Sequence, residues 1–212
     1  MKDIPVFATE NGVASLTLEQ IPYQAAAYIK LQSSGAPELF LSECAQFCRA
    51  CGAEHIYVSG QDVPDGWTLH TEIWQMQCAA DALGDTDAAL FPVQEHTLEA
   101  WRRIYNQKIA RLPNSVWMSE TAGREMLQKG DGYFVHRDGS LLGIGRVSGQ
   151  DIDFVASVVP GGGADVVRAL AHGTFAQTLI LTVASVNQKA VRLYEKLGFI
   201  KTRVISKWYC IK

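Results

Sequence analysis

Two residues near the C-terminus, Asn187 and Tyr194, combine the spacing and the chemistry of a ligand site. Asn187 follows an apolar run and precedes a helical pattern, where asparagine is a favoured N-cap. Tyr194 comes seven residues later, which is about two helical turns, so both side chains would lie on one helix face. A tyrosine phenol, with an ordinary pKa near 10, stays protonated at neutral pH and can donate a proton. Taken singly, the two residues are better explained as a helix cap and a core tyrosine.

A second candidate is the run Gly161, Gly162 and Gly163, which is followed by Ala164. The run separates a predicted strand, which Pro160 ends, from a predicted helix. Glycines allow a ligand to approach the backbone closely, and the free N–H groups at a helix start attract phosphate. This position favours a phosphate-binding loop, although three glycines alone would form a flexible turn just as readily.

An acidic strand start offers candidates for a general base. Asp151, Asp153 and Val155 alternate onto one face of a predicted strand. A carboxylate at that position could accept a proton through water, so Asp153 is the first candidate and Glu120 the second. The alternative is that the acids at this strand start are simply solvated.

The segment Asn-x-x-Ala-x-x-Leu-Tyr-Glu-Lys-Leu-Gly-Phe, residues 187–199, resembles the motif that closes the cofactor site in the GNAT superfamily of N-acetyltransferases. The order of predicted helices and strands over residues 91–212 is similar to that fold as well. The resemblance implies an α/β (α+β) fold in which helices flank a mixed central sheet. It also implies acetyl-CoA as co-substrate and a primary amine of a small molecule or peptide as acetyl acceptor.

The resemblance also implies roles for individual residues. The cofactor-binding positions that it implies are Val158, Val159, Gly161, Gly162, Gly163, Ala164, Asn187 and Tyr194. In the family, a strand pairs with acetyl-CoA through main-chain groups, and the loop after it holds the diphosphate. Asn187 would contact the CoA arm. Tyr194 would lie near the thiol sulfur as a catalytic residue, beside Asp153 as the candidate base.

The glycine loop departs from the family pattern. The family places Gln or Arg shortly before the glycines, where this chain has Val159 and Pro160. Asp165 stands at the predicted helix start, where a carboxylate opposes a bound anion, and Arg168 is the nearest cation. These differences leave a second function open, namely a non-catalytic protein that binds CoA or another ligand, or a partner, on the same fold.

Apolar spacing predicts the elements that would position these residues. In the second half it predicts two helices, the first of which ends at Pro113–Asn114. A hairpin through Asp138–Gly139 follows, and then a strand from Ile152 to Val159. Helix, strand, helix and strand then alternate up to Cys210. The small acidic segment from Ala79 to Ala89 has no clear period and is predicted to link two halves.

The two halves repeat one order of elements. A strand, a glycine-containing turn, a helix, a strand and a long strand occur in residues 27–77 and again in residues 152–210. We therefore predict a smaller, truncated GNAT-like half in residues 1–80 and the GNAT acetyltransferase domain in residues 91–212. The first half has no counterpart of the helix at 188–197, so we expect it to bind no CoA of its own.

Composition narrows the class of protein. With 48% hydrophobic and 19% charged residues and a net charge of −3, the chain is typical of globular proteins. Its longest basic run is Arg102–Arg103, which predicts no nucleic-acid partner, because phosphates require a basic face. It has no membrane-spanning apolar stretch and no signal pattern. Five cysteines without a disulfide-framework spacing predict a reduced, cytoplasmic protein. An oligomer is left open.

Two further motifs are set aside. Cys44, Cys48 and Cys51 have the spacing of an iron–sulfur motif, but they fall on one face of a predicted helix, which favours buried thiols. Gly143-Ile144-Gly145 is too short for a dinucleotide fingerprint. The five histidines have no ligand spacing, so no metal site is predicted.

Overall fold

The computed structural model describes residues 3–61, 63–64, 66–110, 112 and 115–211, and this part of the chain forms an α/β fold. The strands are β1 (Ile4–Thr9), β2 (Gly12–Thr17), β3 (Ala26–Ser34), β4 (His55–Ser59), β5 (Leu69–Ala79), β6 (Ala89–Pro92), β7 (Gly132–Arg137), β8 (Ser140–Ser148), β9 (Asp151–Ser157), β10 (Thr178–Ala184) and β11 (Ile200–Ile211). The helices are α1 (Ile21–Gln24), α2 (Pro37–Ala50), α3 (Leu98–Ile109), α4 (Glu120–Lys129), α5 (Gly163–His172) and α6 (Gln188–Lys196). None of the described helices is both long and apolar enough to cross a membrane.

The chain divides into two compact units. Unit 1 consists of Met1–Ile73 and Val204–Lys212, and unit 2 consists of Trp74–Arg203. The chain therefore passes from one unit to the other within β5 and returns within β11. That residues 1–80 form a truncated half of the same fold as residues 91–212 stays a prediction.

Unit 2 contains a mixed sheet in the order β5-β10-β9-β8-β7-β6. Strands β6 to β9 pair antiparallel, whereas β9 and β10 pair parallel. The hairpin between β7 and β8 turns through Asp138 and Gly139, which have φ angles of 49° and 75°. Two positive φ angles suit the tight turn that matches strand twist. The structure therefore confirms the hairpin predicted at these residues.

Helices pack on both faces of the unit 2 sheet. Gly143 and Gly145 of β8 face α5, and a Cβ at Gly143 would lie only 2.7 Å from Val166 Cγ2. These glycines let α5 approach the sheet closely, which explains the motif that was set aside above. On the other face, Trp101 of α3 is fully buried and donates its indole N–H to the Tyr133 carbonyl at 3.0 Å.

Unit 1 is built around α2. Strands β1, β2 and β3 pair antiparallel, β3 and β4 pair parallel, and β11 pairs antiparallel with β4. Phe40, Cys44 and Cys48 of α2 are fully buried against this sheet, as their helical spacing predicts. Burial raises the pKa of Cys44 to about 12 and that of Cys48 to about 11, so both remain thiols rather than thiolate ligands.

The structure differs from the predicted elements mainly at short segments. Strands β1 and β6 were not predicted from the sequence. The predicted link at Ala79–Ala89 instead contains a 3-10 turn at Ala80–Leu83 and the start of β6. Leu83 is buried in the core of unit 2, and such a long-range contact leaves no period in the local sequence. Helix α3 ends at Ile109, while its predicted end at Pro113–Asn114 lies outside the described residues.

Candidate active site

The parallel strands β9 and β10 are paired only at their first residues. Their described register consists of two pairs, Asp151 with Ile180 and Ile152 with Leu181. Both strands continue beyond these pairs, β9 to Ser157 and β10 to Ala184. From Asp153 onward the facing edges of the two strands are therefore free of main-chain pairing in the described part of the chain.

A β-bulge lies where this pairing stops. On the other side of β9, Phe154 pairs with Arg146 and Ile152 pairs with Val147, so Asp153 is an extra residue without a partner. A bulge increases the local twist of a strand and redirects the side chains around it. We attribute the opening between β9 and β10 to this bulge. It also interrupts the strand alternation that the sequence predicted through Asp153.

The main-chain groups after the bulge have defined directions. The N–H of Val158 donates to the Leu142 carbonyl of β8 at 2.8 Å. Because main-chain groups alternate in direction along a strand, those of Val155 and Ser157 turn away from β8 into the opening. The predicted positions Val158 and Val159 follow the last residue of β9, and the Val159 carbonyl accepts from the Ser157 hydroxyl.

The glycine run forms a tight turn into α5. Gly161 has a φ angle of 80°, Gly162 is the N-cap residue, and α5 begins with Gly163 and Ala164. No side chain caps this helix, so its first N–H groups, which have no helical partners, point out of its end. A Cβ on Gly162 would lie 2.8 Å from Val159 Cγ2, so the turn itself requires glycine there.

Asp165, whose charge would oppose an anion at this helix start, is paired with two arginines. Its carboxylate lies 3.0 Å from the Arg137 guanidinium and 3.3 Å from that of Arg168. Arg168 also donates to the Leu83 carbonyl at 2.8 Å, and Arg137 also pairs with Asp87. Sequence reasoning identified Arg168 but missed Arg137. These pairs offset the negative charge of Asp165 beside the glycine run.

Helix α6 positions the two residues of the C-terminal motif. The Asn187 side chain accepts a hydrogen bond from the Ala190 N–H at 3.3 Å and so caps the helix. Tyr194 is 8% exposed and packs against Phe199, with ring centroids 5.8 Å apart. Burial raises the pKa of Tyr194 to about 12, so its hydroxyl remains a donor at every physiological pH.

Helix α6 and the glycine run are in contact. A Cβ on Gly163 would lie 2.9 Å from Leu193 Cδ2, which places the start of α5 directly beside α6. The structure therefore brings together the glycine run and the helix that carries Asn187 and Tyr194. The site thus consists of an opened pair of parallel strands, an uncapped helix start and a second helix beside it.

No protein-family model and no curated protein matches the sequence. Among solved structures, the chain is similar to a functionally unknown conserved protein from Staphylococcus epidermidis, with a TM-score of 0.62 and 12% identity over 96% of this chain and 91% of that one. It is also similar to a GCN5-related N-acetyltransferase from Sphaerobacter thermophilus, with a TM-score of 0.57 and 13% identity over 94% and 76% of the two chains. A tandem GNAT protein from the clavulanic acid biosynthesis pathway has a TM-score of 0.52 and 11% identity over 94% and 79%.

The chain has the GNAT fold. The predicted fold class, a mixed central sheet flanked by helices, is thereby confirmed. At identities of 11–13%, these structural similarities establish the fold and do not establish the activity.

The two candidate bases have different surroundings in the GNAT fold. Asp153 lies at the bulge, with its side chain 42% exposed and Oδ2 3.9 Å from Arg146 Nε. Burial raises the pKa of Asp153, and the Arg146 charge opposes this shift. Glu120 instead forms an exposed ion pair with Arg124 at 3.0 Å on α4. Of the two, only Asp153 stands at the opening between β9 and β10.

Sequence reasoning missed several parts of this site. The bulge and the main-chain groups of Val155 and Ser157 had no local sequence signal. The ion pair between Arg146 and Asp131, near Asp153, was also missed, because its two residues lie 15 positions apart in the chain. In the described part of the chain, no cluster of three or more His, Cys, Asp or Glu side chains could hold a metal ion.

Proposed function

We propose that the chain is an N-acetyltransferase that moves an acetyl group from acetyl-CoA to a primary amine of a small molecule or peptide. The observation that carries this proposal is the opening between β9 and β10, which ends at an uncapped helix start. An extended ligand with amide groups, such as the pantetheine arm of CoA, can pair with strand main chain as an added strand does. The GNAT fold and the GCN5-related N-acetyltransferases among the similar structures support the same activity.

In this proposal, groups of the protein contact acetyl-CoA along the whole length of the co-substrate. The main-chain groups of Val155 and Ser157 face the opening, with Val158 and Val159 where the strand meets the loop. The first N–H groups of α5, beyond Gly161 to Ala164, would hold the diphosphate, as helix starts commonly hold phosphates. The Asn187 side-chain oxygen accepts from Ala190, and its amide N–H groups, which have no hydrogen bond among the described residues, would contact the CoA arm.

The proposed chemistry needs one base and one donor. As the amine nitrogen bonds to the acetyl carbon and the C–S bond breaks, Asp153 accepts the amine proton through water. Tyr194 donates its hydroxyl hydrogen bond to the departing sulfur and stabilises the thiolate. General acid–base groups of this kind are typically worth about 10²- to 10⁴-fold in rate. The acetyl group arrives as an activated thioester, which is what acetyl-CoA supplies.

The described residues of the N-terminal half contain no comparable opening, which supports the proposal that residues 1–80 bind no CoA. Strands β3 and β4 are paired through five consecutive residue pairs, from Ala26–His55 to Lys30–Ser59. Between β4 and β5, the described residues contain no helix like α6. The main-chain groups that would receive an extended ligand are therefore used within the sheet.

One observation favours a second function, a non-catalytic protein that binds CoA or another ligand. The two arginines near the glycine run, Arg137 and Arg168, are both engaged with Asp165. A diphosphate would therefore be held by main-chain N–H groups without a free guanidinium from this pair. The lack of a free cation from this pair at the glycine run favours a protein that keeps the fold without turnover.

The decisive experiment measures release of the CoA thiol from acetyl-CoA against a panel of primary amines. The enzyme proposal expects thiol release that depends on the amine and on the protein. Thermal unfolding with increasing acetyl-CoA, in the same samples, separates the two functions. Binding without thiol release for any amine would favour the non-catalytic protein, and neither binding nor release would contradict both.

A further inference from the structure

A buried acidic residue, Asp131, lies close to the bulge of β9 in unit 2. It follows α4 directly after Gly130, which adopts the left-handed conformation, and it is only 6% exposed. Its carbonyl accepts from the Val147 N–H at 3.0 Å, and its Oδ2 accepts from Arg146 Nη2 at 2.8 Å. Main chain and side chain are thus both anchored to β8, so Asp131 is a rigid acceptor.

Arg146 stands between two carboxylates. One edge of its guanidinium bonds to Asp131, and its Nε lies 3.9 Å from Asp153 Oδ2. That Nε atom is buried and has no hydrogen-bond partner among the described residues. Arginine presents its donors in a rigid planar fork, so fixing one edge also fixes where the other edge points. The free Nε–H is therefore held beside Asp153.

The charges around Asp153 make Arg146 necessary. Besides Arg146, the charged groups that act on Asp153 are Lys129, Asp131 and Asp151. The Tyr105 hydroxyl, beside Arg146, is kept neutral because burial raises its pKa. Without Arg146, Asp153 would face two other carboxylates and a single lysine. Like charges nearby disfavour the ionised form of a carboxyl, so Arg146 is the group that offsets them at Asp153.

We infer that Asp131 and Arg146 are positioning residues for Asp153, with Asp131 orienting the guanidinium and Arg146 favouring the ionised Asp153 carboxylate at the opening between β9 and β10. The consequence for catalysis rests on the proposed function, in which Asp153 receives the amine proton. The charge relation itself holds whether or not the chain transfers acetyl groups. It can therefore be measured apart from activity.

The test removes the guanidinium and follows the Asp153 carboxyl directly. In Arg146→Met, we expect the midpoint of the Asp153 carboxyl ¹³C titration to rise by about one pH unit, because an opposite charge within a few ångströms commonly lowers a carboxyl pKa by about 1–3 units. Arg146→Lys keeps a charge and should restore part of the shift. The matched control is Arg124→Met, which removes an exposed ion-paired arginine of α4 and should leave the midpoint unchanged.

The kinetic readout distinguishes positioning from a merely structural role. If the chain is an acetyltransferase, the acid limb of kcat/KM should move to higher pH in Arg146→Met, in parallel with the ¹³C midpoint. If wild-type protein acetylates no amine, the proposed function fails while the ¹³C titration still decides the present inference. An unchanged Asp153 midpoint in folded Arg146→Met overturns it.

Arg146→Met leaves the buried Asp131 charge without its partner, which destabilises the fold. A second variant keeps the inference testable if Arg146→Met does not fold. The double variant Asp131→Asn/Arg146→Gln removes both charges and can keep an amide hydrogen bond between the two positions. Arg146 stands between the two carboxylates and is the nearer charge to Asp153, so an upward shift is again expected. A midpoint equal to wild type in this variant also overturns the inference.

Discussion

Units 1 and 2 each contain a pair of parallel strands that are connected through a helix. The two pairs differ in the number of residues over which their strands are paired. In unit 1, β3 and β4 pair over five residues, and the bulge of β3 at Gln32 lies beyond the last of them. In unit 2, the bulge at Asp153 follows only two pairs, and the last three residues of β10 are not paired with β9. The position of the bulge thus determines whether a parallel pair closes or leaves an opening.

The helices that follow these strands also differ in the main-chain N–H groups that their first residues offer to a ligand. In unit 1, α2 begins with Pro37, which has no N–H group to offer. In unit 2, α5 begins with Gly163 and Ala164, and both keep theirs. The same order of elements therefore produces a closed, structural pair in one unit and a candidate ligand site in the other. Four measurements test this difference between the two units.

The largest effect is expected from Tyr194→Phe. Removing the donor to the departing sulfur should lower turnover by about 10²- to 10⁴-fold with little change in acetyl-CoA affinity. Tyr57→Phe in unit 1 is the matched control, since burial raises the pKa of Tyr57 as well. Turnover equal to wild type in Tyr194→Phe would remove Tyr194 from the mechanism. An equal loss in Tyr57→Phe would end the functional contrast between the units.

Acetyl-CoA itself should stabilise the protein by roughly 2.7 kcal/mol at a hundredfold excess over Kd. Hydrogen exchange should show the added protection at Val155, Ser157 and the start of α5, whose main-chain groups would bind the ligand. Strands β3 and β4 should exchange as they do without ligand, apart from any global stabilisation. Specific protection of β3 instead, or no melting shift at millimolar acetyl-CoA, contradicts the assignment.

A charge placed in the glycine run should weaken binding by about tenfold, because two like charges a few ångströms apart in partly wet surroundings repel by about 1–4 kcal/mol. Gly161→Asp provides the charge, and Gly161→Asn has nearly the same shape and tolerates the positive φ angle equally well. Gly35→Asp places the same charge in the corresponding loop of unit 1, where added atoms meet open space. Equal affinities for acetyl-CoA in Gly161→Asp and Gly161→Asn would exclude a diphosphate at this loop.

The smallest effect is expected from the helix cap of α6. Asn187→Ala should cost about 1 kcal/mol of unfolding free energy through loss of the bond to Ala190. Ser119→Ala removes the matching cap of α4, whose hydroxyl accepts from Ala122 at 3.1 Å, at a similar cost. Only Asn187→Ala should also weaken acetyl-CoA binding, as isothermal titration can show. Equal affinity in both variants would reduce Asn187 to a structural cap.

Features that depend on neighbouring residues could be predicted from the amino-acid sequence. The apolar face of α2 followed from the spacing of Phe40, Cys44 and Cys48, and the hairpin turn followed from Asp138–Gly139. The Asn187 cap and the order of elements that implied the GNAT fold were also readable. Each of these rests on interactions within a turn or two of chain, which local spacing records.

Features that join distant segments could be identified only in the folded chain. The bulge at Asp153 is a register shift between strands, and one extra residue in a strand leaves no mark in an apolar pattern. The pairing of Asp165 with Arg137, and of Arg146 with Asp131, depends on which elements the fold brings side by side. Local sequence specifies which groups are present along each strand, whereas long-range register and packing decide which of them meet and which remain free for a ligand.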